Sequence, residues 1–382
     1  MRVITKTSEL EALRRELAER EFVAVDTEFM RETTYWPKLC LIQAAAPGIE
    51  AVIDPLAQEL DLAPFLALMA DKAVLKVFHA ARQDLEIFLK LAGALPKPLF
   101  DTQIAAMACG YGDSIAYDAL VSQVLKQRLD KSSRFTDWSR RPLSEAQLAY
   151  ALADVTHLRE LYPRLADKLK QDGRADWLDD EHANLLDPEI YDTTPENAWK
   201  RLKLRKTTAD YVLGLQVAAA WRERTAQARD VPRGRVVKDE ALYEIAELRP
   251  KAAADFERMR AVPRGFGNSR GAQDLIAALG HAFAAPDRLA HAIERPPPAP
   301  FGLGPTVELL KVLLRYQAEE HRLAPRLIAS TADLEAIAAS DEAKVPALEG
   351  WRREVFGARA LALKHGQIAL KLKDGKVAIE DV

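Results

Sequence analysis

Cysteine is nearly absent from this chain of 382 residues: there are two, Cys40 and Cys109, each in an apolar stretch without a histidine or second cysteine at ligand spacing. That excludes a disulfide framework and a thiolate zinc site, and leaves two buried, reduced thiols as the expectation. Long apolar runs are missing too. None approaches the roughly 18 residues that a membrane span needs, and the first twenty residues hold no apolar segment of signal-peptide length. A cytoplasmic protein is expected. A large net charge of one sign is also missing, since 54 Lys and Arg face 57 Asp and Glu. What is present is the composition of a globular protein, 48% apolar and 29% charged, in a chain long enough for two or three compact units.

The near-neutral total hides an uneven distribution. Lys and Arg number 23 against 33 acids over residues 1–198, 19 against 12 over 199–295, and 12 against 12 over 296–382. An acidic block followed by a basic one suits a part that holds cations and a part that meets a polyanion, although solvated surfaces alone would give the same counts.

Periodicity divides the chain similarly. Phe22–Val25, Leu39–Gln43 and Glu50–Ile53 read as three strands of a meander, with Pro47-Gly48 as a turn. Strand and helix then alternate: a helix over 61–70, a strand at Leu75–Phe78, a helix through Asp84–Leu89 and a short strand near Leu99-Phe100. A mixed α/β sheet with flanking helices follows. Beyond residue 101 the pattern reads as helical only, with Ser144 to Gln147 as a capping box opening a helix to about Leu165. Breaks at Leu185–Pro195 and at the stiff spacer Arg295–Pro300 set off two further helical stretches. These resemble one another: Trp221, Val236 to Lys238, Leu242 and Ile245-Ala246 recur as Tyr316, Leu327 to Ala329, Leu334 and Ile337-Ala338. The expected domains are 1–185, 200–294 and 302–382.

Carboxylates are the candidate chemistry. Asp26 and Glu28 stand two apart at the end of an apolar strand, so both point to one face. Like charges side by side raise one another's pKa unless a cation neutralises them. Tyr150 and Asp154 stand four apart on a helix and share a face, with Asp154 either near the core or facing a cleft. Asp84 follows a strand and opens a helix. Each has an ordinary alternative: an exposed strand end, a packed tyrosine with a surface ion pair, or an acid favoured by the helix dipole.

Together the motifs carry more. Asp-x-Glu on a strand, Asp after the fourth strand and Tyr-x-x-x-Asp on a later helix resemble the DEDD exonucleases of the tyrosine subgroup. The segments VDTEFMRETTYWPKLCLIQ, HAARQDLEIF, FDTQIAAM and RPLSEAQLAYALADVTHLRELY are similar to the ribonuclease D family. The two later helical stretches are similar to its HRDC domains (helicase and RNase D C-terminal). The resemblance implies a ribonuclease H-like nuclease domain followed by two all-α HRDC domains, and a 3′→5′ exoribonuclease that shortens tRNA precursors and other small structured RNAs.

By the same resemblance, Asp26, Glu28, Asp84 and Asp154 hold two divalent ions, Mg²⁺ or Mn²⁺, in keeping with an all-oxygen ligand set. Tyr150 would orient the attacking water and the scissile phosphate. Thr27, Phe29, His79 and Gln83 are the candidates for substrate contact, with core packing open for Phe29 and a structural role for His79. Lys200, Arg201, Lys203, Arg205 and Lys206 before the first later helix, with Arg229, Arg233 and Arg235 in a loop, would meet RNA phosphates. The partner is RNA with a single-stranded 3′ end, with no membrane and no obligate protein partner. DNA as the polymer, or a binding protein with a dead nuclease site, are the competing readings.

Overall fold

The structure is a computed structural model that describes residues 2–130, 133, 136–285 and 302–382. The spacer Arg295–Pro300 lies outside the described residues. In chain order the elements are β1 (Arg2–Ile4), α1 (Thr7–Ala18), β2 (Phe22–Met30), β3 (Lys38–Ala46), β4 (Ile49–Ile53), α2 (Ala63–Ala70), β5 (Leu75–Phe78), α3 (Arg82–Ala92), β6 (Leu99–Asp101), α4 (Thr102–Ala108), α5 (Tyr117–Leu125), α6 (Glu145–Gln171) and α7 (Asp179–Leu185). There follow α8 (Ala209–Arg229), α9 (Arg233–Val236), α10 (Asp239–Leu248) and α11 (Arg270–Ala284). Then come α12 (Gly304–His321), α13 (Pro325–Ile328), α14 (Thr331–Ala339), α15 (Gly350–Arg352), α16 (Ala358–Lys364), β7 (Ile368–Lys373) and β8 (Lys376–Asp381).

The chain forms two compact units, one of Met1–Glu28, Cys40–Asp187 and Pro298–Val382, the other of Phe29–Leu39 and Pro188–Pro297. In the first, six strands lie in the order β1-β4-β3-β2-β5-β6. β3 and β4 are antiparallel, whereas β5 runs parallel to both β2 and β6. Phe22–Val25 and Cys40–Ala46 are buried throughout, as strands covered on both faces must be. The expected meander and mixed sheet are therefore present. The edge strand β1, which pairs parallel to β4, was not anticipated, because three residues carry no measurable period.

α6 places the chemistry. Its capping box is formed as expected, with Ser144 accepting from the Gln147 amide and Gln147 reaching back, but the helix continues through Pro163 to Gln171 rather than ending near Leu165. Ala151, Val155 and Leu158 are buried at helical spacing, and Val155 and Leu158 pack on Ala24 and Val77 of the sheet. Asp154 is thereby carried over the strand that bears Asp26.

β5 contains a fully buried lysine. The Nζ of Lys76 donates to the carbonyls of Asp71 (2.5 Å), Val74 (2.7 Å) and Lys97 (2.5 Å), so three donors meet three acceptors. Lys76→Met conserves length but takes the shared donor from all three carbonyls, of which that of Asp71 keeps the Val74 amide at 3.4 Å, and a loss of roughly 2–4 kcal/mol is expected. Urea unfolding checks it, and unaltered stability would refute the clamp.

The reading of residues beyond 101 as helical only is corrected at the C-terminus, where β7 and β8 pair as an antiparallel hairpin. Asp374 (φ 51°) and Gly375 (φ 74°) form its two-residue turn. An Asp-Gly turn between alternating apolar residues is a strong hairpin signal, which the helical reading of this stretch does not include. Residues 302–364 share one apolar core with α4, α5 and α6: Leu310, Leu313 and Phe356 cluster with Ala105, Leu120 and Leu161. Trp177 and Trp351 stack at 4.2 Å, and Arg352 bonds Asp180 at 3.0 Å and Glu181 at 2.5 Å. The order long helix, one-turn helix, helix recurs as α8–α9–α10 and α12–α13–α14.

The second unit has its own core, built on Leu215, Trp221, Leu242, Ile245 and Leu275. The buried Glu223 carboxylate accepts from Arg201 (2.7 Å), from Arg233 (2.6 Å) and from the Tyr35 hydroxyl. Asp230 accepts the Tyr35 and Trp36 amides, each at 3.1 Å. Arg201, which is exposed, and Arg233, which is partly buried, are thus also partners of an internal carboxylate. Lys200, Lys203, Arg205, Lys206, Arg229 and Arg235 are exposed, with Lys206 paired to Glu247 and Arg205 over the Tyr243 ring.

Candidate active site

β2 delivers Asp26 and Glu28 on one face, and α6 brings Asp154 to them. Their carboxylate oxygens lie within 4.8 Å of one another. Asp26, Tyr150 and Asp154 line a cavity of about 330 Å³, together with His79, Ala80, Gln103 and Tyr117. Asp84 lies outside the mutual reach of the three. It is buried in the first turn of α3, where one of its oxygens accepts the Thr27 hydroxyl at 2.5 Å.

These acids push one another's pKa up. Burial first, then Asp154, raises Asp26 to about 8. Burial first, then Asp26 and Asp154, raises Glu28 to about 9. Asp84 is raised by burial and then by Asp26. Such a set is poorly matched to itself and well matched to hard divalent cations, which take oxygen ligands and offset the repulsion. The donor chemistry therefore fits a divalent metal.

The remaining candidates separate by partner. Tyr150 lines the cavity with its ring 6.0 Å from that of Trp138. His79 also lines it, but both ring nitrogens meet protein, Nδ1 the Thr102 hydroxyl at 3.0 Å and Nε2 the Ile115 carbonyl at 3.2 Å. Thr27 is committed to Asp84, Phe29 is half-buried and Gln83 is exposed. Tyr117 was missed in the sequence. Its hydroxyl donates to the backbone carbonyl of Asp154, and its ring lies 5.2 Å from that of His79. No motif announced it, because the contact joins residues 37 apart.

Comparison with known proteins places this geometry. Residues 1–170 match the 3′–5′ exonuclease family, and residues 215–278 match the HRDC domain. Ribonuclease D of Nitrobacter hamburgensis is 51% identical over 99% of this chain and 98% of its own. The chain belongs to the ribonuclease D family. Ribonuclease D of Granulibacter bethesdensis is 50% identical over 98% of this chain and 95% of its own. The crystal structure of Escherichia coli RNase D, an exoribonuclease involved in structured RNA processing, superposes with a TM-score of 0.80 at 29% identity, covering 96% of this chain and 98% of that one. As a member of this family it is a 3′→5′ exoribonuclease, a hydrolase of phosphodiester bonds, and the family's dependence on divalent metal agrees with the acidic cluster. Among the described residues no helix is long and apolar enough to cross a membrane.

Proposed function

We propose that this chain removes nucleotides one at a time from single-stranded 3′ ends of small structured RNAs, tRNA precursors among them, and releases 5′-mononucleotides in the cytoplasm. The observation that carries the reading is the convergence of the Asp26, Glu28 and Asp154 oxygens within 4.8 Å beside a cavity bearing Tyr150. Asp26, Glu28, Asp84 and Asp154 are assigned as the ligands of two divalent ions, Mg²⁺ or Mn²⁺, in the manner of the tyrosine subgroup of DEDD exonucleases. Such ions, when bound, supply the positive charge that acidifies an attacking water and stabilises the leaving 3′-oxygen.

The chain's own groups do the rest. Tyr150, with a reference pKa of about 10 for its side-chain type, is a weak base at neutral pH, so its hydroxyl orients the water and the phosphate. Thr27 holds the Asp84 carboxylate by its hydroxyl, which makes it a support for the acids rather than a first contact for substrate. Exposed basic residues of the unit containing α8, such as Lys200, Lys203 and Arg229, guide the RNA through phosphate contacts that weaken with salt and ignore sequence. Residues 302–382 are assigned as a second HRDC-like domain, supported by the repeated helix order. Domain limits of 1–185, 200–294 and 302–382 are proposed with it as divisions of sequence, the last stretch packing into the same compact unit as the nuclease.

The test is mass analysis of products from an RNA with a single-stranded 3′ tail, with and without chelator. A ladder shortened from the 3′ end, with 5′-mononucleotides that vanish on chelation and return with Mg²⁺ or Mn²⁺, is the expected result. Internal cuts, 3′-phosphate products or trimming indifferent to chelator would overturn the reading.

A further inference from the structure

Asp101 holds a position whose use the acidic cluster does not explain. It ends β6 as the neighbour of Phe78, the last residue of β5, and is 2% exposed. One carboxylate serves two places. Oδ1 accepts the amides of Gln103 (2.7 Å) and Ile104 (3.4 Å), capping α4, and also that of Ala80 (3.1 Å). Oδ2 accepts the amide of Ala81 at 2.8 Å. Its own amide donates to His182 Nε2 at 3.1 Å.

The turn it grips is a special one. Ala80 sits at φ 57°, a left-handed conformation that an L-residue with a Cβ adopts at a cost and that persists only when the surroundings impose it. Ala80 lines the cavity shared by Asp26, Tyr150 and Asp154. Ala81 is the residue from which α3 departs, and its carbonyl accepts the Leu85 amide at 2.9 Å. Asp84 therefore takes its place in the first turn of a helix whose start is held by Asp101. α3 has no side-chain cap of its own.

We infer that Asp101 is a positioning residue for hydrolysis: its carboxylate locks Ala80 in the left-handed conformation and thereby sets both a wall of the cavity and the placement of Asp84. The inference rests on the assignment of Asp84 to the site. In Asp101→Asn the nitrogen of the new amide must face either the Ala81 amide or the cluster of Ala80, Gln103 and Ile104 amides, so a buried donor loses its acceptor whichever way the amide turns. One orientation repels the Ala80 amide itself and the other the adjoining Ala81 amide, so either way the turn loses part of what holds Ala80 in the left-handed region.

A double-mutant cycle on RNA trimming tests this, run at a temperature where thermal melts show every variant folded. Asp101→Asn should lower kcat by about tenfold or more with little change in KM, since Asp101 is buried behind the residues that line the cavity. That loss should shrink by about tenfold when Ala80→Gly is also present, because glycine takes the left-handed conformation without the Cβ penalty. A carboxylate that merely stabilised the fold would show no such rescue in kcat. Equal losses with and without Ala80→Gly overturn the inference. Should Asp101→Asn fail to fold, Ala80→Val puts a β-branched residue at the same φ with Asp101 intact, and undiminished kcat would overturn it equally. Asp84→Asn run alongside separates the two levels: full activity there removes Asp84 from the site, whereas loss there without rescue in the cycle removes only the role of Asp101.

Discussion

Asp154→Asn should lower 3′ trimming by at least about a thousandfold, equivalent to about 4 kcal/mol of transition-state stabilisation, while RNA is still retained. The amide keeps the shape of the side chain and removes one negative charge from a set whose oxygens lie within 4.8 Å of one another. Divalent charge then lacks one of its ligands, so the loss should fall on kcat. Stability should move the other way. Asp154 is a repulsive neighbour that raises the pKa of both Asp26 and Glu28, and the protein without metal gains by losing it. Single-turnover trimming, a filter-binding assay and a thermal melt in chelator check the three parts. Asp26→Asn should behave alike, and normal trimming by either variant would end the assignment of these acids to catalysis.

Phe356→Ala should cost about 3–5 kcal/mol, the usual range for emptying a fully buried aromatic site, and should take the nuclease down with it. Phe356 is 0% exposed and belongs to the same apolar cluster as Leu161 and Leu165 of α6, the helix that carries Tyr150 and Asp154. A core spanning the two stretches of chain melts as one. Heat inactivation of the exonuclease should therefore shift down by about 10 °C, in step with the change in tryptophan fluorescence from the stacked Trp177 and Trp351. If inactivation stays at its original temperature while the C-terminal stretch unfolds, the cluster is two cores and the nuclease stands alone.

Legibility of the site followed the range of the interactions. Asp26 and Glu28 could be paired from the sequence because a strand alternates faces, and Tyr150 with Asp154 because a helix returns every four residues. The capping box at Ser144 was legible for the same reason. The Asp374-Gly375 hairpin carries an equally local signal, which the all-helical reading beyond residue 101 does not include. Asp84 read as a helix-opening acid, and its bond to Thr27, 57 residues away, had no local trace. Arg201 and Arg233 looked like free positive charge in a basic stretch. Each pairs with Glu223, and charge counts do not show which cations have an internal partner.

By itself the sequence determined which residues face together along the strands and helices it showed, the α/β order of residues 22–101, and the pairing of Asp26 with Glu28 and of Tyr150 with Asp154. Tertiary structure decided which of those acids meet within 4.8 Å, that Asp101 grips the turn at Ala80, and that the C-terminal helices share the nuclease core. Periodicity is a property of a few neighbouring bonds, whereas these contacts depend on how distant segments pack, and packing is settled only when the whole chain excludes water at once.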